Sequence, residues 1–169
     1  MKKYLEKMFL AVLAIVCVTT FASCGGDDDD NPGAESSNMT IGTHRIDVEF
    51  EGNTKHWTVN VSLSAVKASG MGASLYEDGK ELNNGSGAWI DQKFRSYSIY
   101  TDDHCHTLCC LVDCNTETHL NKLEPITVKL KGYVNGKLKK EKTVVFEDND
   151  KVKLICFFSE TSEGDYVLQ

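Results

Sequence analysis

From Ile46 onward apolar and polar residues alternate: Ile46, Val48 and Phe50, then Trp57, Val59, Val61, Leu63 and Ala65, stand at every second position with polar residues between them. A strand turns successive side chains to opposite faces, so this period marks strands with one buried face. Gly52-Asn53 suits a short connection, and residues 44 to 66 read as a β-hairpin. Ser69-Gly70-Met71-Gly72 breaks the pattern, Leu75-Tyr76 reads as a short strand, Glu77-Asp78-Gly79-Lys80 as a turn, and residues 83 to 87 as an exposed loop.

Trp89 to Thr101 is rich in aromatic and β-branched residues, and Asp102-Asp103 closes it. Thr107 to Asp113 is a continuous apolar run, the mark of a strand buried on both faces. Pro125 introduces Ile126, Val128 and Leu130, and Asn135-Gly136 is the strongest hairpin signal because both residues tolerate positive φ. The partner strand runs from Leu138 to Phe146, Glu147 to Asp150 makes a turn, and Val152 to Phe158 reads as a further buried strand. No helical period of a dozen residues occurs after the leader, so the chain is expected to be all-β: a single β-sandwich, immunoglobulin-like, with a small β-barrel as the alternative.

The start of the chain has a different pattern. Lys2, Lys3 and Lys7 precede a charge-free stretch from Met8 to Phe21, too short to span a bilayer, which needs about 20 apolar residues. Phe21-Ala22-Ser23-Cys24 resembles the lipobox of bacterial lipoproteins, which usually has leucine where this chain has Phe21. The resemblance implies cleavage before Cys24 and lipidation of that cysteine; Cys17 leaves with the leader. The run Gly25 to Gly33, with Asp27 to Asp30 at its centre, resembles the acidic tether of surface-exposed lipoproteins of the Bacteroidota, which implies display on the outer face of the outer membrane, the periplasmic face being the alternative. Both resemblances cover residues 1 to 33. The expected organisation is a signal peptide at 1–23, the lipidated cysteine and flexible tether at 24–40, and the sandwich at 41–169.

Removing residues 1 to 23 takes away three lysines and one glutamate, so the formal charge passes from −7 to −9. No basic stripe is available to neutralise phosphates, which argues against a nucleic-acid partner. Lys137, Lys139, Lys140 and Lys142 read as the solvent face of an edge strand, where lysine discourages pairing with another chain.

Candidate chemistry gathers in His104 to Cys114, with Cys156 remote in sequence. On an extended strand His104 and His106 share a face about 6.6 Å apart and could hold one ion, zinc being the cofactor alternative to none at all. Cys105, Cys109, Cys110, Cys114 and Cys156 read as core residues or disulfide partners, since export through an oxidising compartment permits disulfides. Cys109 or Cys110 could meet Cys156 across the sandwich, and Cys105 with Cys114 could staple a bent segment. A reactive thiol would need a base from His104, His106 or His119, oriented by Asp113. No G-x-S-x-G, H-E-x-x-H or P-loop is present, and no catalytic residue is assigned.

Trp57 fits the buried phase of its strand, whereas Trp89, Tyr97 and Tyr100 are candidate ligand contacts for a sugar ring or a peptide. The expected function is a non-catalytic binding or envelope-assembly module on a lipid anchor, with a glycan or protein ligand met by loops 69–74 and 83–89. The alternatives are a protective or inhibitory lipoprotein that blocks a toxin or protease, and a metal- or thiol-dependent activity at residues 104 to 114.

Overall fold

The computed structural model describes residues 40–116, 123–147, 154–160 and the backbone of 167–168. Among the described residues eleven strands make two antiparallel sheets. They are β1 (His44–Gly52), β2 (Trp57–Lys67), β3 (Leu75–Glu77), β4 (Lys80–Glu81), β5 (Ala88–Asp91), β6 (Tyr97–Thr101), β7 (Cys105–Thr116), β8 (Ile126–Val134), β9 (Lys137–Phe146), β10 (Leu154–Phe158) and β11 (Val167–Leu168). The six-stranded sheet has the order β4-β3-β6-β1-β8-β9 and the five-stranded sheet β11-β10-β7-β2-β5. The sheets pack face to face as a β-sandwich and do not close into a barrel. The segments expected to be a leader and tether lie outside the described residues as far as residue 39, Cys24 among them, as do His119 and residues 148–150 of the expected turn; Thr40, placed in the tether, is described and packs on the domain.

The alternation read from the sequence is the packing rule of the core. Ile46 and Val48 of β1, Ile126, Val128 and Leu130 of β8, and Tyr97 and Ile99 of β6 face Val59, Val61 and Leu63 of β2, Val112 of β7, and Ile155 and Phe157 of β10. Trp57 joins them, 7% exposed, with its indole Nε1 donating to Glu124 O at 3.1 Å. The apolar run of β7 is buried on both faces from Thr107 to Cys114, as expected of a central strand.

The hairpin expected over residues 44 to 66 does not form. β1 pairs with β6 and β8, while β2 pairs with β5 and β7 in the other sheet. The connection at Gly52 to His56 therefore crosses between layers, and inward-facing residues on both strands leave the alternation identical to that of a hairpin. Asn135-Gly136 does close a hairpin: β8 and β9 pair from Ile126↔Phe146 to Val134↔Lys137, and the two turn residues have φ of 50° and 74°. β9, with its four lysines, stands last in the six-stranded sheet as described.

The loops expected to meet a ligand are tied together. Asn83 is buried; its Oδ1 accepts from Leu75 N at 2.9 Å and its Nδ2 donates to Ala73 O at 3.1 Å. Ala65 N donates to Gly87 O, Ala73 N donates to Ala65 O, and a Cβ on Gly72 or Gly87 would collide with the other loop's backbone. Residues 69–74 and 83–87 form one hydrogen-bonded crossover that carries the chain from β2 to the β3/β4 pair of the other sheet and back to β5.

A polar plug closes one end of the sandwich. His44 is fully buried: its Nδ1 accepts from Ser159 Oγ at 2.7 Å, its Nε2 donates to Thr40 O at 3.0 Å, and its backbone N donates to Thr101 Oγ1 at 3.0 Å. Thr40 in turn donates through N and Oγ1 to the Glu160 carboxylate, at 2.9 and 2.5 Å. Gly132 makes room for this plug, since a Cβ there would stand 2.7 Å from Ser159 Cα.

Candidate functional site

Strand pairing lines up four planar side chains on the outer face of the six-stranded sheet. Tyr76 of β3 is opposite Tyr100 of β6, Tyr100 is opposite Arg45 of β1, and Arg45 is opposite Tyr133 of β8. Each is the outward residue of its strand, because its neighbours Leu75, Ile99, Ile46 and Val134 point into the core. The Tyr76 and Tyr100 rings stack with centroids 5.6 Å apart and planes 22° from parallel, and the Arg45 guanidinium lies 3.8 Å from the Tyr133 ring centre. All four are half-exposed. With strands about 4.8 Å apart the row spans roughly 14 Å. Leu138, 51% exposed and paired with Tyr133, extends it onto β9.

The charges around the row are compensated. Arg45 Nε stands 3.1 Å from Asp47 Oδ1 without the alignment of a hydrogen bond, Asp47 accepts from Ser98 Oγ at 2.7 Å, and Lys129 Nζ donates to Glu51 at 2.5 Å. The face therefore offers ring edges, phenol hydroxyls and guanidinium N–H groups rather than a strong field of either sign.

Of the three aromatic residues expected to contact a ligand, only Tyr100 belongs to this face. Tyr97 is 2% exposed and faces the core, where Trp89 meets it edge-on at 6.0 Å and Phe50 at 6.4 Å. Its hydroxyl donates to Lys93 O at 2.5 Å, and burial raises its pKa to about 12. Trp89, half-buried, packs against the same core. Along β6 alternate residues face opposite ways, so Tyr97 and Tyr100 cannot share a surface. Tyr76, Arg45 and Tyr133 escaped sequence reasoning because the cross-strand register that aligns them spans remote segments.

The described residues of the histidine and cysteine segment do not gather around a common point. His104 lies in the turn before β7, exposed, with Nδ1 2.5 Å from Asp103 Oδ1, so the extended spacing assumed for His104 and His106 does not hold. Among the described residues no three His, Cys, Asp or Glu side chains stand close enough to share a metal. Asp113 is buried beside Asn115, whose Nδ2 donates to it at 2.8 Å, and beside Asn60; it orients no described histidine.

The cysteines are sorted by face. Cys105, Cys110 and Cys114 hang from the inward side of β7, and burial raises the pKa of each thiol, which makes them poor nucleophiles. The Cys105 Sγ–H is directed at Thr107 O (3.0 Å) and Val66 O (3.3 Å). Cys105 and Cys114 stand nine residues apart on one extended strand, which rules out the staple expected between them. Cys156 meets Cys109, not Cys110, and does so within one sheet rather than across the sandwich, with the sulfurs 3.6 Å apart. Among the described residues no two sulfurs are at bonding distance.

Two solved structures share this architecture. A DUF4425 family protein from Bacteroides ovatus superposes with a TM-score of 0.63 at 19% identity, covering 73% of this chain and all of its own. A DUF4425 domain of unknown function from Bacteroides vulgatus gives 0.60 at 19% identity, covering 71% of this chain and 96% of its own. At that identity the likeness is one of fold. No protein-family model and no curated protein matches the chain.

Proposed function

We propose that this chain is an exported lipoprotein, held to the outer membrane by acyl chains on Cys24 and facing outward from the cell, that binds a glycan without transforming it. The observation that carries the binding reading is the cross-strand row of Tyr76, Tyr100, Arg45 and Tyr133. A pyranose presents an apolar face of C–H groups inside a rim of hydroxyls. Tyrosine answers both with rigid apolar area and a polar tip, at the entropy of only two side-chain torsions. Arginine stacked on an aromatic ring keeps its terminal N–H groups for sugar oxygens. The compensated charges favour a neutral polysaccharide over a polyanion.

The flanking geometry supports a preformed surface. The row stands on the continuous ladder of β3, β6, β1 and β8, so its side chains are positioned without loop ordering. For attachment, the charge-free stretch from Met8 to Phe21 supports export and Cys24 offers the residue to be lipidated; several acyl chains on one residue give the stable anchoring that one chain does not.

Affinity electrophoresis of the full chain in detergent, through gels cast with neutral polysaccharides, tests the reading. Retardation by at least one polymer is expected, with Tyr100→Ala and Arg45→Gln each weakening binding tenfold or more, about 1.4 kcal/mol. Binding that survives both substitutions, or no retardation by any polymer, overturns it.

A further inference from the structure

We infer that Cys109 and Cys156 are a redox pair, closing a disulfide that staples β10 to the centre of its sheet when the chain meets a disulfide oxidant. Cys109 is opposite Phe158 and Cys156 is opposite Leu111, so the two cysteines are diagonal neighbours on adjacent antiparallel strands, and their sulfurs are in contact at 3.6 Å. Both point away from the core shared by the two sheets, since the alternate residues Cys110, Ile155 and Phe157 fill it. A bond of about 2.05 Å needs rotation about both Cα–Cβ bonds and a small shear of the strands. β10 is the strand to move: among the described residues, its outer side pairs with the two residues of β11.

The other thiols provide the contrast. Cys105, Cys110 and Cys114 hang from the inward face of a single strand, which keeps them well apart from one another, so the contrast lies in spacing and not in burial, which all five cysteines share. One pair and three inert core thiols also account for an odd set of five cysteines.

The step is thiol–disulfide exchange with a protein or small-molecule disulfide R–S–S–R as oxidant. One cysteine, as its thiolate, attacks a sulfur of the oxidant, forming a mixed disulfide and expelling R–S⁻, which takes up the proton the cysteine lost. The second cysteine's thiolate then attacks the bound cysteine sulfur, forming the intramolecular S–S bond and expelling the second R–S⁻, which is protonated in turn. Two cysteine S–H bonds become one S–S bond, and the oxidant is reduced to two thiols. That an oxidant is present in the compartment rests on the export reading, but the chemistry of the pair does not.

The test uses the full chain in detergent, reduced, then equilibrated without denaturant against a graded series of reduced and oxidised glutathione, quenched by alkylation and digested. The expected result is one cross-linked peptide pair joining Cys156 to the Cys109-Cys110 peptide, with three alkylated cysteines remaining in the domain. Cys110→Ser should keep the link, and Cys109→Ser and Cys156→Ser should each abolish it. Full alkylation of Cys109 and Cys156 across the series, linkage only after unfolding, or a link that survives Cys109→Ser overturns the inference. If the link forms with glutathione but chain isolated from bacterial envelopes carries both thiols, the redox pair stands and the export reading fails.

Discussion

His44 shows how one buried residue couples this fold to pH. Desolvation lowers its pKa below the ordinary 6.5, although the Thr40 carbonyl and Glu160 oppose the shift; His106 adds to it. The unfolded chain therefore binds the proton more readily than the folded one. Its contribution is complete above about pH 6.5 and is lost as pH falls from there toward the lowered folded value. Urea unfolding of the wild type should show a stability loss between about pH 7.5 and 5.5 that His44→Asn reduces; equal slopes in the two proteins would dismiss the coupling. Asp113 works in the opposite sense. Burial raises its pKa despite help from Asn115 and Asn60, so its favourable contribution is present at low pH and lost as pH rises through the folded value. Asp113→Asn is therefore expected to melt at the same temperature or higher at neutral pH, and a clear drop would mean the carboxylate stabilises as an anion. Neither residue was legible as special: His44 sits among ordinary alternating positions, and Asp113 looked like a helper for a histidine because sequence proximity does not reveal which face a strand residue takes.

At the scale of elements, Arg95 holds together strands from different sheets. Its Nη1 and Nη2 donate to the Glu77 carboxylate of β3 at 2.5 and 2.7 Å, its Nε donates to Asp91 of β5 at 3.3 Å, and its guanidinium covers the Tyr97 ring at 4.0 Å. Replacement by alanine should cost about 1–2 kcal/mol, since charge-assisted bonds are strong but this side chain is partly exposed. Arg95→Lys should recover only part, because an ammonium cannot reproduce the planar fork. Thermal melts lowered by a few degrees for alanine and less for lysine are the expected order; unchanged melts would make the cluster a surface ornament. The contrast between two connections shows what local patterning can reveal. Asn135-Gly136 declares a hairpin because its backbone conformation is intrinsic to those two residues. Gly52 to His56 carries no such instruction, and whether β1 and β2 pair or face each other depends on strands more than forty residues away.

For the whole molecule, the proposed anchor and the described domain make separate predictions. Cys24→Ala, with the rest of the chain intact, should abolish incorporation of radiolabelled palmitate and move the protein from the membrane to the soluble fraction; label retained in the variant would place the lipid on another residue, and no label in the wild type would dismiss the anchor. Intact cells expressing the wild-type chain should lose it to externally added protease if it faces outward. The all-β class was legible throughout, because a period of two is a property of the single strand, written by which side chains must leave water. So were the buried centre of β7 and the β8–β9 hairpin. Strand order, the separation of Trp89 and Tyr97 from Tyr100, the meeting of Cys109 with Cys156, and the row from Tyr76 to Tyr133 were decided only by tertiary structure. Alternation specifies which residues share a face of one strand; which strands then lie side by side is set by burying all the inward faces at once, a condition no local stretch of sequence contains.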